Sequence, residues 1–402
     1  MDKKTGALQG LRVLDLGQVI AGNFCSVLLA DFGADIIKIE RPGVGDGLRY
    51  MGKTIDGIST GHMVDNRGKR CITLNLQEEK GREIFFELLK ISDVVVENYA
   101  AGVMEKMGLG YDALKKANPK IILARVSGFG QYGPKSGLSG YDRVGMAYGG
   151  ITYLTGDPDG PPMRPGLGIA DYMSGMFAAL GVMFALYHRD AAGSGEGQMI
   201  DLGLYESVFR VMESTAVDYK LFGDIRGRVG NKHPLSVPGD HYLTKDKRWV
   251  TIASGNDKVF KKLAAAMGRE DLLSDPRFVS HGERTKPENR AAIEEICKQW
   301  FAERDEKECA AALEKDVPYS AILNIEDIFK EEHYRARENI IEVMQDTVGK
   351  IYMQGVVPKM TGTPGEVNWA GASLGAFNDE IFKGLLGMSD EKIAELKAES
   401  II

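Results

Sequence analysis

The chain has 402 residues, 44% of them hydrophobic and 27% charged, with a net charge of −7 at neutral pH. That length and balance suit a soluble globular protein of two domains or one large one, and an acidic chain without a basic block argues against a general nucleic-acid surface. Four widely spaced cysteines (Cys25, Cys71, Cys297, Cys309) form no CxxC pair and read as free thiols of a reducing compartment.

Leu11 to Leu16 is a compact apolar run that predicts a strand, followed by a helix over Asn23 to Phe32 and a strand over Asp35 to Ile39. Cys71 to Leu76 predicts a strand, Glu79 to Ile91 an amphipathic helix and Asp93 to Val96 a short strand. Tyr111 to Ala117 predicts a helix and Ile121 to Val126 a strand. Strands alternating with helices imply an α/β fold with a parallel sheet covered on both faces. Ligands of such sheets bind beyond the carboxyl ends of the strands, here the loops Gly17–Gly22, Glu40–Gly43, Asn98–Ala100 and Ser127–Gly130.

Gly, Tyr and Pro punctuate Ser127 to Leu167, a loop-rich stretch of the kind that often carries function. An apolar helical run follows over Tyr172 to His188, then a Gly-rich turn (Gly193–Gly197), a strand over Gln198 to Leu202 and a long helix from Tyr205 towards Phe222. The longest apolar run, Met173 to Tyr187, contains two glycines and is short for a bilayer, so no membrane span is expected. The N-terminal run Met1 to Gly6 has charge but no apolar core behind it and does not read as a signal peptide, which makes the cytoplasm the expected location. Gly223 to Asp240 reads as a linker, His241 to Ser254 as a hairpin with Lys245-Asp246-Lys247 at its turn, and Asp257 to about Lys315 as charged helices of a smaller α+β domain. From about Ile340 the chain returns to strand and loop and closes with a helix over Asp390 to Glu399.

Several chemistries lack their motif. There is no P-loop, Gly17–Gly22 lacks the GxGxxG spacing, no GxSxG elbow is present, and the six histidines show no HxxxH pair that would suggest a metal site. Arg41, straight after the second strand, is either a solvated charge or a phosphate ligand. The cluster Arg67-Gly68-Lys69-Arg70 by itself reads as a solvated face. Asp171 stands where a glycine-rich loop gives way to the apolar helix. It has two explanations: an N-cap accepting the helix's first amides, or a reactive carboxylate held beside them.

Taken in order, the blocks resemble class III (family III) CoA-transferases. They run from Gly10-Leu11-Arg12-Val13-Leu14-Asp15-Leu16 and Ala21-Gly22 through Leu29 to Asp46, Asn66 to Arg70 with Leu74-Asn75-Leu76, and Asp93 to Tyr99. Ser127-Gly128-Phe129-Gly130-Gln131-Tyr132-Gly133, Gly140-Tyr141-Asp142, Ala170-Asp171, Ser174-Gly175-Met176 and Gly195-Glu196-Gly197-Gln198 follow. Gly230-Asn231 and Asp275-Pro276-Arg277-Phe278 extend the likeness into the second domain. The resemblance implies CoA transfer from an acyl-CoA to a small free carboxylic acid through an aspartyl-CoA thioester and mixed anhydrides. The CoA thioester is then a substrate, with no prosthetic group. It puts the nucleophile at Asp171 and CoA beside Val19, Ile20 and Ala21, with Arg41 on its phosphates. Leu74, Asn75, Asn98 and Tyr99 would line the adenosine region, Lys106 would stand at a position that is often basic, and Tyr141 and Asp142 would border the acyl pocket. It also implies an interlocked homodimer, with a Rossmann-like CoA-binding domain over 1–222 and about 335–402 and a linker and small domain over 223–334.

This chain departs from the family pattern in places. Asn23 replaces a proline common in the first loop, Met146 replaces a glutamine often found after the Tyr-Asp pair, and Gly255-Asn256-Asp257 stands where oxalate-type members carry a glycine-rich lid. An α-methylacyl-CoA racemase shares this fold but carries a histidine in a Gly-His-Asp motif as its second base. Here the motif reads Gly140-Tyr141-Asp142, and a phenol is a poor proton acceptor near neutral pH. A CoA-binding protein without chemistry is the remaining alternative, against which Asp171 speaks.

Overall fold

A computed structural model describes residues 6–232 and 236–402. The N-terminal run 1–5 and part of the expected linker, 233–235 with His233, lie outside the described residues. The chain forms two units: Met1–Thr152 with Arg164–Ile225 and Arg335–Ile402, and Tyr153–Met163 with Arg226–Tyr334. The short stretch Tyr153–Met163, inside the span 1–222, thus groups with the second unit.

The first unit is built on six parallel strands: β1 (Arg12–Asp15), β2 (Asp35–Glu40), β3 (Lys69–Thr73), β4 (Val94–Glu97), β5 (Ile122–Ser127) and β6 (Met199–Gly203). Their spatial order is 3-2-1-4-5-6, so the order reverses between β1 and β4, where open sheets of this kind bind ligands. Alternate residues serve opposite faces. Leu14, Ile37, Val95 and Leu123 enter one core with the helix Glu79–Lys90, while Val13, Ile36, Val94 and Ile122 enter another. Burial on both faces is why these strands read as short apolar runs and not as strict apolar–polar alternation. The C-terminal segment belongs to the same unit: Asn75 N–H donates to Ile401 O at 2.8 Å, and Leu396 and Ile402 share a core with Leu14 and Leu74.

Helix α1 (Ala21–Asp31) follows β1, and α2 (Asp142–Tyr148) lies in the loop-rich stretch. Helix α3 (Ile169–Leu186) buries a face of small residues, Gly175, Ala178, Ala179, Val182 and Ala185. A Cβ on Gly175 would stand 2.9 Å from Ala21 O, so glycine lets α1 and α3 touch. The continuous helix Ile169–Ala191 is 23 residues long with mean hydropathy 1.6, which meets the length and composition of a membrane span. The sequence expectation of a run too short for that is corrected, because the helix starts earlier and ends later than the apolar core of the pattern. In this unit it is a core helix of the sheet. The single long helix expected from Tyr205 to Phe222 is broken instead into Leu204–Arg210 and Thr215–Phe222, with Glu213 between them at φ 51°.

In the second unit, His241–Leu243 and Trp249–Ile252 form the expected hairpin, and Tyr319–Ala321 pairs antiparallel beside Trp249–Ile252. Lys247 at the turn has φ 64°. A core of Tyr242, Phe260, Phe278 and Phe301 packs under these strands.

Candidate active site

The loop after β1 is clamped on two sides at the reversal of strand order. Asn98, straight after β4, uses its side-chain amide twice: Oδ1 accepts from Gln18 N–H at 2.6 Å and Nδ2 donates to Gln18 O at 2.8 Å. Asp46 Oδ1 accepts from Val19 N–H and Leu48 N–H, each at 2.9 Å, and Asn23 Nδ2 donates to Val19 O at 2.9 Å and Asp46 Oδ2 at 2.5 Å. Val19 is thereby held at φ 60°, a left-handed conformation that costs a β-branched residue on the order of 1–3 kcal/mol. Both its peptide groups are tied down, which is what makes the conformation persist.

Below the loop lies a fully buried charge network. Lys38 Nζ donates to Asn23 Oδ1 at 2.6 Å and to Gly17 O, and pairs with Asp46 at 3.2 Å. Lys69 Nζ donates to Asp15 Oδ2 at 2.8 Å and Asn66 Oδ1 at 2.9 Å. Burial alone would raise the Asp46 carboxyl, but the Lys38 charge and the Leu48 and Val19 amides outweigh it and hold it well below the usual range. Burial would lower Lys38, yet Asp15 and Asp46 keep it raised and charged. The cluster Arg67–Arg70 is therefore not a solvated face: Lys69 is buried here, Arg67 forks onto Asp31 at 2.9 Å and the still shorter 2.5 Å, and Arg70 reaches Asp35. Acids on neighbouring elements, Asp15 and Asp31 buried and Asp35 half-buried, make the difference.

Asp171 is the third residue of α3, whose N-cap is Gly168. The N-cap role expected of it falls to another carboxylate: Asp142 Oδ1, from α2, accepts from Ala170 N–H at 2.9 Å. That leaves Asp171 in the first turn, partly buried, without a hydrogen bond to its carboxylate among the described residues. Burial, and then the like charge of Asp142, push its carboxyl up to about 7. Such a group is close to half ionised at neutral pH and more basic than an ordinary carboxylate.

Asp171 opens into a cavity of about 190 Å³ lined by Val19, Ile20, Ala21, Asn98 and Tyr141, together with Gln18, Ser127, Gly128 and Gly140. Gly128 and Gly140 bring the Tyr141 loop against the end of β5, since a Cβ on Gly140 would lie 2.7 Å from Gly128 Cα. A second cavity of about 260 Å³ shares Gln18 and is lined by Arg41, Leu74, Asn75 and Tyr99, with Val103 and Met107. Lys106 lines neither cavity and is exposed between those two residues; Asp142 lines neither and reaches Asp171 through the cap. The cavity of about 660 Å³ in the second unit, lined by Tyr242, Trp249 and Glu294 among others, is larger but contains none of the expected site residues.

Asp15, Lys38, Lys69, Asn23 and Asp46 position the site, a role the sequence reading assigns to none of them. A signal existed for one: Lys38 interrupts the apolar strand residues Ile36, Ile37 and Ile39, and a charge inside a buried parallel strand requires a partner. Ser127 enters the sequence reading only as the first residue of the expected ligand loop Ser127–Gly130.

A parallel sheet with helices on both faces, and a small cavity holding a raised carboxylate at its reversal point, is the arrangement of an α/β enzyme. The sequence profile of CoA-transferase family III matches residues 8–378, and the chain belongs to that family. It is 40% identical over 397 residues to the succinyl-CoA–D-citramalate CoA-transferase of Chloroflexus aurantiacus, covering 98% of each chain. It is 40% identical over 400 residues to the succinyl-CoA–L-malate CoA-transferase beta subunit of that organism, again over 98% of each. Among solved structures it is similar to a CAIB/BAIF family protein from Brucella suis, with TM-score 0.84 and 31% identity over 95% of this chain and 100% of that one. The chain is thus a CoA-transferase, moving CoA from an acyl-CoA to a free carboxylic acid. These relatives support transfer over the racemase alternative.

Proposed function

We propose that Asp171 is the nucleophile, that the donor is a short dicarboxylic acyl-CoA such as succinyl-CoA, and that the acceptor is a short dicarboxylic acid of the malate or citramalate kind. The observation that carries the first part is a carboxylate pushed up to about 7, without a hydrogen bond among the described residues and open to a small cavity. Ionised Asp171 attacks the thioester carbonyl and expels CoA thiolate, forming a mixed anhydride. The thiolate attacks the aspartyl carbonyl of that anhydride, releasing the donor acid and leaving an aspartyl-CoA thioester. The acceptor carboxylate then attacks the thioester, and the thiolate expelled attacks the acceptor carbonyl, which frees Asp171. A carboxylate near 7 lies closer to a thiol, with its ordinary value of about 8.5, than an ordinary aspartate does, which evens the exchange between oxygen and sulfur.

In this reading the Arg41–Leu74–Asn75–Tyr99 cavity takes the adenosine and phosphate end of CoA, with Asn98 and Val19–Ala21 along its path to Asp171 and Lys106 close to the entrance. The substrate assignment rests on the names of the relatives, and on a reactive cavity smaller than the 300–1,000 Å³ of drug-sized sites. The interlocked homodimer implied by the family resemblance is supported by an exposed apolar stripe along α3 and the turn that continues it, Met176, Leu180, Phe184 and Tyr187, at helical spacing. A cytoplasmic location accords with four buried free thiols. The test is mass spectrometry of protein incubated with succinyl-CoA and trapped with hydroxylamine or borohydride: modification on the Asp171 peptide is expected, and an Asp171→Ala protein that transfers CoA as fast as wild type refutes the mechanism.

A further inference from the structure

Ser127 is the last residue of β5, at the carboxyl end of the sheet, paired in register with Gly203 and 6% exposed. Its Oγ is buried and has no hydrogen-bond partner among the described residues. Arg70, Gln131, Ser236, Tyr242, Ser254 and His281 also carry a buried side-chain atom without a partner, but only Ser127 lines the Asp171 cavity. A buried hydroxyl left unpaired is costly, and such a group calls for an explanation. Of the other polar side chains there, the Asn98 amide is spent on the Gln18 backbone, Tyr141 is largely solvent-facing, and Gln18 is half-buried. Lys, Arg and His side chains are absent from the described lining of this cavity.

We propose that Ser127 is a specificity-determining residue, whose hydroxyl hydrogen-bonds an oxygen substituent beside the reacting carboxyl of the acceptor, so that the site selects short 2-hydroxy acids over their deoxy counterparts. This rests on Asp171 being the reacting group, because it is the shared small cavity that brings the substituent of an acid held at Asp171 within reach of β5. A serine hydroxyl both donates and accepts, so it matches a substrate hydroxyl in either sense. An acid without that oxygen leaves Oγ as it stands in the free protein, neither gaining nor losing a partner. Discrimination then comes from the bond gained.

The test compares wild type and Ser127→Ala with malate and with isotope-labelled succinate, succinyl-CoA being the donor for both. Ser127→Ala is expected to lower kcat/KM for malate about tenfold while changing succinate exchange less than about twofold. Its thermal midpoint is expected to equal or exceed that of wild type, because the alanine removes an unpaired buried group. Equal effects on the two acids, or no effect on either, overturn the assignment of Ser127 while leaving the transferase reading intact. Absence of both reactions in wild type overturns the substrate class and the Ser127 assignment together. Loss of aspartyl trapping at Asp171 is the separate sign that the nucleophile is wrong.

Discussion

Replacing Asp171 by Asn should stabilise the free protein, and by an amount that depends on pH. The folded protein holds the Asp171 proton up to about 7, against an ordinary value of 3.8. Between about pH 4 and 7 the folded state therefore binds more protons at this site than the unfolded state, so its contribution to stability falls as pH rises and levels off above about 8. Three pH units correspond to ~4 kcal/mol at full weight; the group is partly exposed, and with solvent screening we take about 2–3 kcal/mol. Asparagine has nearly the same shape and does not titrate. The difference in midpoint between Asp171→Asn and wild type, followed by thermal unfolding from pH 4.5 to 8.5, should open by several degrees, at about 2 °C per kcal/mol for a unit of this size. Any constant offset from the amide cancels between the two ends of the range. A difference that is flat with pH, or that closes as pH rises, refutes the argument that burial and Asp142 hold this carboxyl up.

The same shift predicts that kcat/KM rises with pH through an apparent value near 7, as Asp171 ionises in the free enzyme. Asp142→Asn keeps an acceptor for Ala170 N–H but removes the like charge, so that limb should move to lower pH, by up to about one unit; an unmoved limb shows that Asp142 acts only as a cap. Asp46→Ala takes away the acceptor of Val19 N–H and leaves Lys38 with Asp15 at 4.0 Å. Denaturation should show a loss of roughly 3–5 kcal/mol, as for a broken buried pair, with a higher KM for acyl-CoA, and a loss below about 1 kcal/mol contradicts the clamp. Gly140→Ala places a Cβ 2.7 Å from Gly128 Cα, which should cost roughly 1–3 kcal/mol and lower kcat/KM by an order of magnitude or more through displacement of Tyr141. A protein of unchanged activity would show that this close approach does not matter to the site.

The sheet was legible because its strands are buried on both faces. Leu11–Leu16 and Ile121–Val126 are mostly apolar runs, and the observed β1 and β5 fall within a residue or so of them. Helix ends were less legible. The start of α3 was expected at Tyr172 but lies at Ile169, because the carboxylate that satisfies Ala170 comes from Asp142, 28 positions earlier. The break at Glu213 likewise has no glycine or proline to announce it.

Asp171 stood out in the chain because local chemistry marks it: a carboxylate between a glycine-rich loop and an apolar helix, in the ordered company of the other family blocks. Periodicity and order along the chain are local properties, and they settle strands, helices and family. The charge state of Asp171, the strain at Val19, the burial of Lys38 and Lys69 and the unpaired hydroxyl of Ser127 depend on which residues meet across the fold. Burial and pairing are sums over neighbours distant in sequence, so the same aspartate reads as a cap in the chain and becomes a half-ionised carboxylate facing a cavity only once Asp142 has taken the cap.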